Sequence, residues 1–169
     1  MPSDDEDRPA QIAGIHLNVS AQKSVELSLK ESETKFRSLF ELSPVGIALN
    51  DLSTGRFLQV NDAMVSPTGY TREQLLQMTY GDIKLESDPD EKADQIEPIE
   101  RTDRFGPHEI RHLRKDGTTY PVLRSGIRMM DAFGRSVAWS IAQDITQRKA
   151  MELALLDAAR RDKRRGSHQ

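Results

Sequence analysis

The amino-acid sequence predicts an α+β domain in which one antiparallel sheet carries helices on one face. The first observation is the order of the elements, which is two strands, then short helices, then three strands. The second is that hairpin turns connect the strands at both ends of this order, and hairpins join antiparallel neighbours. The third is that the last strand passes into a helix with almost no loop, so a movement of that strand also moves the helix.

Composition limits the class of protein before any motif is considered. The 169 residues suffice for one full domain with extensions. A net charge of −3 with interspersed signs argues against a nucleic-acid partner bound by charge alone. We find no apolar run of membrane length and no secretory signal, so a cytoplasmic location is expected, although a longer parent protein could be anchored elsewhere. The absence of cysteine excludes disulfides and thiolate metal sites.

An internal repeat predicts how the chain is organised. The segment 18–29 matches the segment 144–155 position by position, with Lys, Glu and two Leu identical. One period has about the length of a small domain, so the chain resembles a piece of a tandem array, with chance similarity as the alternative. Residues 1–20 are therefore predicted to be the tail of a preceding unit or a disordered leader, with strand character over 10–17.

A helical pattern follows from residue 20 to residue 42, and we assign 21–35 as a linker helix. Apolar side chains alternate there by four and three, which is the spacing of a coiled-coil seam. Two interpretations stay open. The helix packs on its own domain, or it pairs with a second copy in a homodimer that also uses the outer face of the sheet. The seam consists of Val25, Leu29, Ser32, Phe36 and Leu39.

The first hairpin begins where that helix ends. Ser43-Pro44 ends the helix because a residue before proline avoids the helical region. The segments 46–50 and 56–61 have strand character and flank a turn over 51–55. They are therefore predicted to pair as antiparallel neighbours.

Capping residues predict the short helices after this hairpin. Asn61 is a favourable N-cap, and Pro67 and Gly69 limit the helix that follows it. Thr71 begins the next helix and has Gln74 three residues later as its capping-box partner. These helices are expected to cover one face of the sheet.

The acidic stretch 84–104 predicts a short helix broken near Pro98. Carboxylates in such helices are usually solvated rather than catalytic. The sequence shows no Ser/His/Asp set, no metal-ligand spacing and no phosphate-binding loop, and the charged segment 114–117 is a hairpin turn. We therefore do not expect enzyme activity in this chain.

The last part of the domain predicts three strands. Residues 108–114 alternate in polarity and lead into an Asp-Gly turn at 115–117. The second strand covers 119–130, and the third begins at Val137. From residue 147 onward the residue types favour a helix.

The ordered set of motifs resembles the PAS sensory-box family over about 115 residues. The resemblance implies a five-stranded antiparallel sheet with a pocket between sheet and helices, over residues 36–146. It implies a sensor or dimerising module of a bacterial signalling protein, with 147–169 as a signalling helix and disordered tail. The matching segments are Phe36-Arg-Ser-Leu-Phe40, Ser43-Pro-Val-Gly-Ile47, Asn61-Asp-Ala63, Thr68-Gly-Tyr-Thr-Arg-Glu-Gln-Leu75, Arg114-Lys-Asp-Gly117 and Asp144-Ile-Thr-Gln-Arg-Lys149.

The same resemblance gives the strand-to-helix junction a role. Asp144, Ile145 and Thr146 correspond to the family's exit toward an output domain. Residues 158–163 are similar to the lead-in to a diguanylate cyclase (GGDEF) domain, and a histidine kinase is the other common output. The expected function is to sense a small ligand or a partner and to relay the change through the C-terminal helix. The alternative is a ligand-free structural dimerisation spacer.

Known cofactors of the family are not expected here. The flavin-binding branch needs a cysteine for its photoadduct, and this chain has none. Members that bind haem usually supply a histidine from the segment before the third strand. Between Asn61 and Pro107 there is no histidine, so a haem is not expected.

A candidate ligand site follows from strand alternation together with the resemblance. Alternation places Ile110 and His112 on one face, and matching 114–117 to the flavin-binding branch places His112 where a ligand contact would lie. Buried Arg and His need partners, and a small acidic metabolite would supply one for Arg124. The alternatives are a one-residue register shift that turns both outward, or an Arg124–glutamate pair. The candidate residues are Ile110, His112, Val122, Arg124, Ser140 and Ala142.

Overall fold

The computed structural model describes residues 8–85 and 103–167, with side chains from residue 18 onward. The chain divides into two compact units, one up to Phe40 and the other from Glu41 onward. Most of the first helix, α1 (Arg8–Leu42), belongs to the first unit. The second unit holds, in chain order, β1 (Gly46–Asp51), β2 (Phe57–Val60), α2 (Asp62–Val65), a 3₁₀ turn (Ser66–Thr68), α3 (Arg72–Gln77), α4 (Tyr80–Ile83), β3 (Asp103–Leu113), β4 (Thr119–Met130), β5 (Ser136–Asp144) and α5 (Thr146–Gly166).

The five strands form one antiparallel sheet in the order β2-β1-β5-β4-β3, which confirms the predicted fold class. Strand β4 has the bounds that the sequence predicted. The central strand β5 is the last in the chain, and it leads directly into α5. Any change in the position of this strand therefore reaches α5 without an intervening loop.

The predicted strand over residues 10–17 is wrong, because these residues belong to α1. A single strand satisfies its backbone groups only by pairing with a neighbour, whereas a helix satisfies them within its own segment. The helical pattern that begins at residue 20 therefore extends back to Arg8. The assignment of residues 1–20 to a preceding unit stays a prediction.

Asn61 connects the first strand to the first short helix. Its Oδ1 accepts hydrogen bonds from the backbone N–H of Met64 (2.9 Å) and of Ile47 (2.8 Å), and its Nδ2 donates to the carbonyl of Val45 (3.0 Å). The side chain is fully buried. The predicted N-cap is thus confirmed, and it also fixes the start of β1 against α2.

The turns between the short helices follow the predicted chemistry. Thr71 and Gln74 form a capping box, with Thr71 Oγ1 accepting from the Gln74 N–H and Gln74 Oε1 accepting from the Thr71 N–H. Gly69 ends the 3₁₀ turn at φ +77°, a conformation that favours glycine. These ends keep α2 and α3 short and seat Leu75, which is fully buried, in the core.

Two apolar clusters lie between the inner face of the sheet and the short helices. The larger cluster joins β1 and β2 to α2, α3 and α4, and the smaller one joins β3 to β4. The half-buried Tyr80 and Ala142 pack against both clusters. The larger cluster contains Ala48, Phe57, Val60, Met64, Leu75 and Ile83, and the smaller one contains Ile110, Tyr120 and Val122.

Strand β3 contains a bulge that the sequence reading did not predict. Phe105 pairs with Gly126, and the next pair is His108 with Arg124, so three steps on β3 face two steps on β4. Gly106 lies in this bulge at φ +73°. The extra residue places Phe105 on the inner face together with Ile110, although their spacing is odd.

Two remaining expectations concern the acidic stretch 84–104 and the lack of an apolar run of membrane length. The helix break predicted near Pro98 lies outside the described residues. Among the residues that the structure describes, no helix combines the length and the apolar character needed to cross a membrane.

Helix α1 exposes several large apolar side chains, including Leu29 and Leu39, and α5 exposes Met151 and Leu155.

Candidate functional site

All six sequence-predicted site residues lie on the inner face of the sheet. Ile110 pairs with Val122, and Arg124 pairs with Ala142. Five of the six are buried and Ala142 is half-buried. The buried five are Ile110, His112, Val122, Arg124 and Ser140. The inward orientation is therefore observed, while a role in ligand binding stays a prediction.

His112 lies within an aromatic cluster. Its ring is 5.6 Å from the ring centroid of Tyr120 and 5.8 Å from that of Tyr80, with edge-on geometry in both cases. The Tyr120 hydroxyl lies 3.4 Å from His112 Nδ1. Burial raises the pKa of the Tyr120 phenol above its ordinary value, so this group stays protonated. The cluster fills the space between β3, β4 and α4.

Arg124 lies against two aromatic rings. Its guanidinium carbon is 4.3 Å from the ring centroid of Tyr80 and 4.5 Å from that of Phe105. Arg128 lies against the same Phe105 ring at 5.1 Å and forms an ion pair with Asp103 (2.5 Å). Cation–π contacts of this kind stabilise a guanidinium that has left bulk water. The sequence reading found Arg124 but missed its aromatic neighbours.

The tyrosine that connects these two groups is Tyr80. Its ring contacts His112 on one side of the site and Arg124 on the other, and the Nζ of Lys84 lies 6.0 Å from the same ring centroid. Lys84 follows α4 directly and forms an isolated β-bridge with His112. The short helix α4 therefore positions both an aromatic ring and a cation over the inner face.

A pocket of about 260 Å³ opens beside this group. Its walls are the end of β1, the β1–β2 turn, the first turn of α4, and Lys84, Arg124 and Ala138. Of the six sequence-predicted residues, Arg124 belongs to this lining and the other five do not. The end of β1 contributes Asn50 and Asp51, the β1–β2 turn contributes Leu52, Thr54 and Gly55, and α4 with its cap contributes Thr79, Tyr80 and Gly81.

Basic side chains contribute to the lining of this pocket. The described residues contain no group of three or more His, Asp and Glu side chains that could hold a metal ion. Lysine and arginine offer N–H donors and no acceptor, so they bind carboxylates and phosphates. The two cations in the pocket lining, Lys84 and Arg124, are groups of this kind.

The strand-to-helix junction is fixed to the sheet by a buried side chain. Ile145 is 2% exposed, and its N–H donates to the carbonyl of Pro121 on β4 (3.1 Å). Asp144 Oδ1 accepts from the N–H of Thr146 (2.9 Å) and from its hydroxyl (2.5 Å). The first residues of α5 are therefore held by the core and by a local turn.

A salt-bridge cluster adds a second attachment. Glu109 on β3 accepts from Arg148 Nη2 (2.9 Å) and from Lys149 Nζ (2.5 Å), both in the first turn of α5. The hydrogen bond from Lys149 holds the pKa of the Glu109 carboxyl below its usual range. This cluster connects α5 to the strand at the edge of the sheet.

This fold, with its inner-face pocket and its helix leaving the central strand, is that of a sensory domain rather than a catalytic one. A family model described as PAS domain matches residues 44–147, which is more than half of the chain. The chain belongs to the PAS domain family, as its motifs predict.

Two curated relatives are named as a sensor and as a probable diguanylate cyclase. The methyl sulfide methyltransferase-associated sensor of Methanosarcina acetivorans is 30% identical over 149 residues, which are 86% of this chain and 14% of that protein. Probable diguanylate cyclase DgcE of Escherichia coli is 34% identical over 71 residues, which are 42% of this chain and 6% of that protein. The chain thus spans a small part of the curated relatives that it matches.

Solved PAS domains share the architecture. The PAS domain of an HTR-like protein from Haloarcula marismortui is 25% identical with a TM-score of 0.59, covering 73% of this chain and 99% of that one. A PAS domain from a two-component sensor histidine kinase is also 25% identical with a TM-score of 0.53, covering 68% and 98%. These matches agree with the five-stranded sheet described above.

Proposed function

We propose that this PAS domain is a cytoplasmic sensory module that binds a small ligand or a partner and relays the change through α5 to an output domain. The observation that carries the proposal is the burial of Ile145 at the start of α5. Because its backbone N–H is bonded to β4, a shift of the sheet and a shift of the helix are one event. The output domain would lie in a longer parent protein.

The mechanism is a shift between two populations. An occupant at the inner face would favour one arrangement of β4 and β5, and α5 would follow that arrangement. The occupant has an effect only if it binds the two arrangements with different affinity. Strand β4 connects the candidate site to α5, since it carries both Arg124 and Pro121, whose carbonyl accepts the Ile145 N–H.

A diguanylate cyclase or a histidine kinase is the output that we propose. Support comes from one relative named as a probable diguanylate cyclase and from a similar PAS domain of a two-component sensor histidine kinase. The relative that matches 86% of this chain is named as a sensor. The basic last turn of α5, with Lys163, Arg164 and Arg165, would precede that domain.

The experiment measures output activity of the longer parent protein. We expect Asp144→Ala to give the activity of a parent that lacks residues 44–143, because the local turn that starts α5 is lost. The matched control is Asp131→Ala, since Asp131 Oδ1 also accepts two local hydrogen bonds, here from the backbone N–H groups of Phe133 and Arg135 in the β4–β5 turn. A control that keeps wild-type output is expected. Wild-type regulation in Asp144→Ala, or no effect of deleting the domain, would contradict the proposal.

A homodimer through α1 and the outer sheet face is the second part of the proposal. The seam side chains Val25, Leu29, Phe36 and Leu39 are 49–76% exposed, although water disfavours such apolar rows. On the outer sheet face Ile141 is 44% exposed. A parallel pair of α1 helices would cover the seam. The spacer alternative shares this dimer and differs in having no ligand.

The dimer is tested by light scattering on the purified chain. Leu29→Glu is expected to give a monomer, because a charge in the seam opposes pairing. Leu27→Glu is the matched control, since Leu27 is also exposed (68%) but lies two positions from Leu29 and off the seam. A monomeric wild-type chain, or equal dimerisation of both variants, would exclude pairing through the seam. Native mass spectrometry of the same samples separates the sensor from the spacer, because the spacer carries no small molecule.

A further inference from the structure

The centre of the inner sheet face carries short side chains. Ser140 on β5 pairs with Ala48 on β1 and with Gly126 on β4. Its neighbours on the same face of β5 are Ala138 and Ala142, because strand side chains alternate. Such short side chains leave space between the sheet and the short helices, and Ala138 belongs to the lining of the pocket described above.

Ser140 contributes a buried hydroxyl without a hydrogen bond. The residue is 7% exposed, and no described residue provides a hydrogen-bond partner for its Oγ. A buried polar group that lacks a partner destabilises a fold, so such groups are uncommon and require an explanation. A ligand group that contacts this Oγ would supply the missing hydrogen bond.

The hydroxyl of Ser140 lies next to the pocket. On one side along β5 its neighbour is Ala138, and on the other side it is Ala142, which pairs with Arg124. Ala138 and Arg124 both line the pocket. Ser140 is therefore flanked by two rows of the sheet that contribute to the lining, and it is about 7 Å from Ala138 along the strand.

A second neutral group lies on the adjacent strand. Asn50 pairs with Ala138 and lines the pocket. Its Nδ2 donates to the carbonyl of Gly55 (3.3 Å), and no described residue donates to its Oδ1. Ser140 is its diagonal neighbour, and the Cα atoms of diagonal neighbours are about 7–8 Å apart. A ligand group that both donates and accepts, such as an amide or a hydroxyl, can bridge the two side chains.

The charged side chains of the lining do not require a charged ligand. Asp51 Oδ1 accepts from the backbone N–H groups of Ser53 (2.7 Å) and Thr54 (3.2 Å), so this carboxylate is part of the β1–β2 turn. Lys84 and Arg124 each have interaction partners of their own. The groups that a ligand can satisfy, a serine hydroxyl and an asparagine carbonyl, are both neutral.

The walls limit the body of the ligand. Leu52, Ala138 and the Tyr80 ring are apolar, and the volume of about 260 Å³ is smaller than the roughly 300–1,000 Å³ of pockets for drug-sized ligands. We propose that this pocket binds a small uncharged ligand whose amide or hydroxyl group, on a short apolar body, hydrogen-bonds Ser140 Oγ and Asn50 Oδ1. The inference rests on the proposed sensory function and names the ligand class for it.

Burial of the Ser140 hydroxyl gives such a ligand an effect on the sheet. The Phe105 ring lies over Gly126, the β4 partner of Ser140. A ligand that reaches the buried Oγ displaces the side chains that cover it, and it thereby favours a second arrangement of β4 and β5. A difference in affinity between the two arrangements is what the relay to α5 requires.

The test is direct binding to the full 169-residue chain, measured by calorimetry. Propionamide, benzamide and benzyl alcohol are the uncharged probes. Propionate and benzoate are the charged counterparts of the two amides at nearly the same shape, and acetophenone keeps a carbonyl but has no donor. At least one uncharged probe should bind saturably and shift the amide resonances of Gly55 and Gly81, which line the pocket. The charged counterparts and acetophenone should bind at least tenfold more weakly.

Two variants place the site. Ser140→Ala should weaken binding at least fivefold without lowering the melting temperature, because the lost hydroxyl has no hydrogen bond to lose. Ser125→Ala is the matched control, since Ser125 lies on the neighbouring strand β4 and pairs with Ile141 of the outer face. Its affinity should stay within twofold of wild type. Asn50→Ala should also weaken binding at least fivefold.

The opposite outcomes overturn the inference. They are no saturable binding by any uncharged probe, an acid that binds as tightly as its amide, unchanged affinity in Ser140→Ala or in Asn50→Ala, and an equal loss in Ser125→Ala. A lower melting temperature of Ser140→Ala would give the hydroxyl a structural role and would also overturn it.

These results do not depend on an output domain. If the uncharged probes do not bind while Asp144→Ala still resets the output of the parent, the ligand class fails and the sensory function stands. If they bind while Asp144→Ala keeps wild-type regulation, the site stands and the relay fails.

Discussion

The ring of Phe105 lies directly over the backbone of Gly126. A Cβ atom on residue 126 would come 2.8 Å from Phe105 Cε1, closer still to Cζ, and would also meet the carbonyl oxygen of Trp139. Only glycine leaves room for the ring at this position. Because the two neighbours on the same face are Arg124 and Arg128, the ring then lies against both guanidinium groups. The missing side chain of Gly126 thus makes the cation–aromatic arrangement possible.

The first prediction concerns this close approach. Gly126→Ala should lower the free energy of unfolding by about 1–3 kcal/mol, because the strand backbone on one side and the Phe105 ring on the other must move. Urea denaturation measures it. Gly166→Ala is the control, since nothing lies within 4 Å of the added Cβ there. A loss below about 0.5 kcal/mol in Gly126→Ala would show that the ring moves freely.

The second prediction concerns the junction. Ile145→Ala should cost about 2–4 kcal/mol of unfolding free energy, because it removes a buried aliphatic side chain from the core. Ile141→Ala, four residues earlier on β5, is the matched control with 44% of its side chain exposed, and it should cost less than about 1 kcal/mol. Equal losses in the two variants would contradict the anchoring of α5 by Ile145. Denaturant unfolding followed by tryptophan fluorescence compares them.

A third prediction follows from the lowered pKa of Glu109. Its carboxyl is held below the ordinary value of 4.5 in the folded chain, so the ionised form favours the docked helix. This contribution is present at neutral pH, above the unfolded pKa, and is lost as the pH falls through the lowered folded pKa. The protection of the amide hydrogens in the first turn of α5, measured against the exchange rate of an unfolded chain at the same pH, should therefore decrease across that window.

Two variants isolate the contribution of Glu109 to that pH dependence. Glu109→Gln should make the protection of these amide hydrogens insensitive to pH in the same window, since no carboxylate remains at residue 109 to be protonated. Glu152→Gln keeps Glu109 and removes the weaker contacts to Arg148 (3.6 Å) and Lys149 (4.0 Å), so the pH dependence should persist. A Glu109→Gln profile that matches wild type would assign the effect to another group.

The fourth prediction concerns the guanidinium of Arg72. It binds Glu41 through two parallel bonds of 3.0 and 2.8 Å, and it also contacts Asp62 and the carbonyl of Val60. Arg72→Lys keeps the charge but loses the planar pair of N–H donors that binds both oxygens of Glu41. The variant should therefore cost about 1 kcal/mol of unfolding free energy, a modest value because the side chain is 32% exposed. Arg56→Lys, with one described bond to Gln77, should be nearly neutral. Thermal unfolding of both variants checks the difference.

Local chemistry explains why much of the fold could be predicted. The caps at Asn61 and Thr71 and the turn at 115–117 depend on a few neighbouring residues, so the sequence contains their full description. Alternation on β3 likewise placed Ile110 and His112 on one face, because the period of two is set by the pleat. The family resemblance then indicated that this face and Arg124 point inward. The bounds of β4 follow from its two flanking turns.

Features that depend on distant residues were missed. Strand β3 was predicted to begin at His108, where the alternation begins, and in the structure the strand begins at Asp103 and contains a bulge between Phe105 and His108. The pocket lining comes from β1, the β1–β2 turn, α4, β4 and β5, which only the tertiary fold brings together. A glycine between two arginines, Arg124-Ser-Gly-Ile-Arg128, was the one local signal for an aromatic ring at this place.

Helix α5 is a long helix that is attached to the sheet at its first residues. Its 21 residues are held at the first residues by Ile145 and Glu109, and its remaining surface is exposed. At 1.5 Å per residue the helix is about 30 Å long. A tilt of about 5° at its first residues therefore moves its C-terminal end by about 3 Å. A small movement at the start of α5, which leaves the packing of the sheet intact, therefore moves the C-terminal end of the helix by more than a bond length.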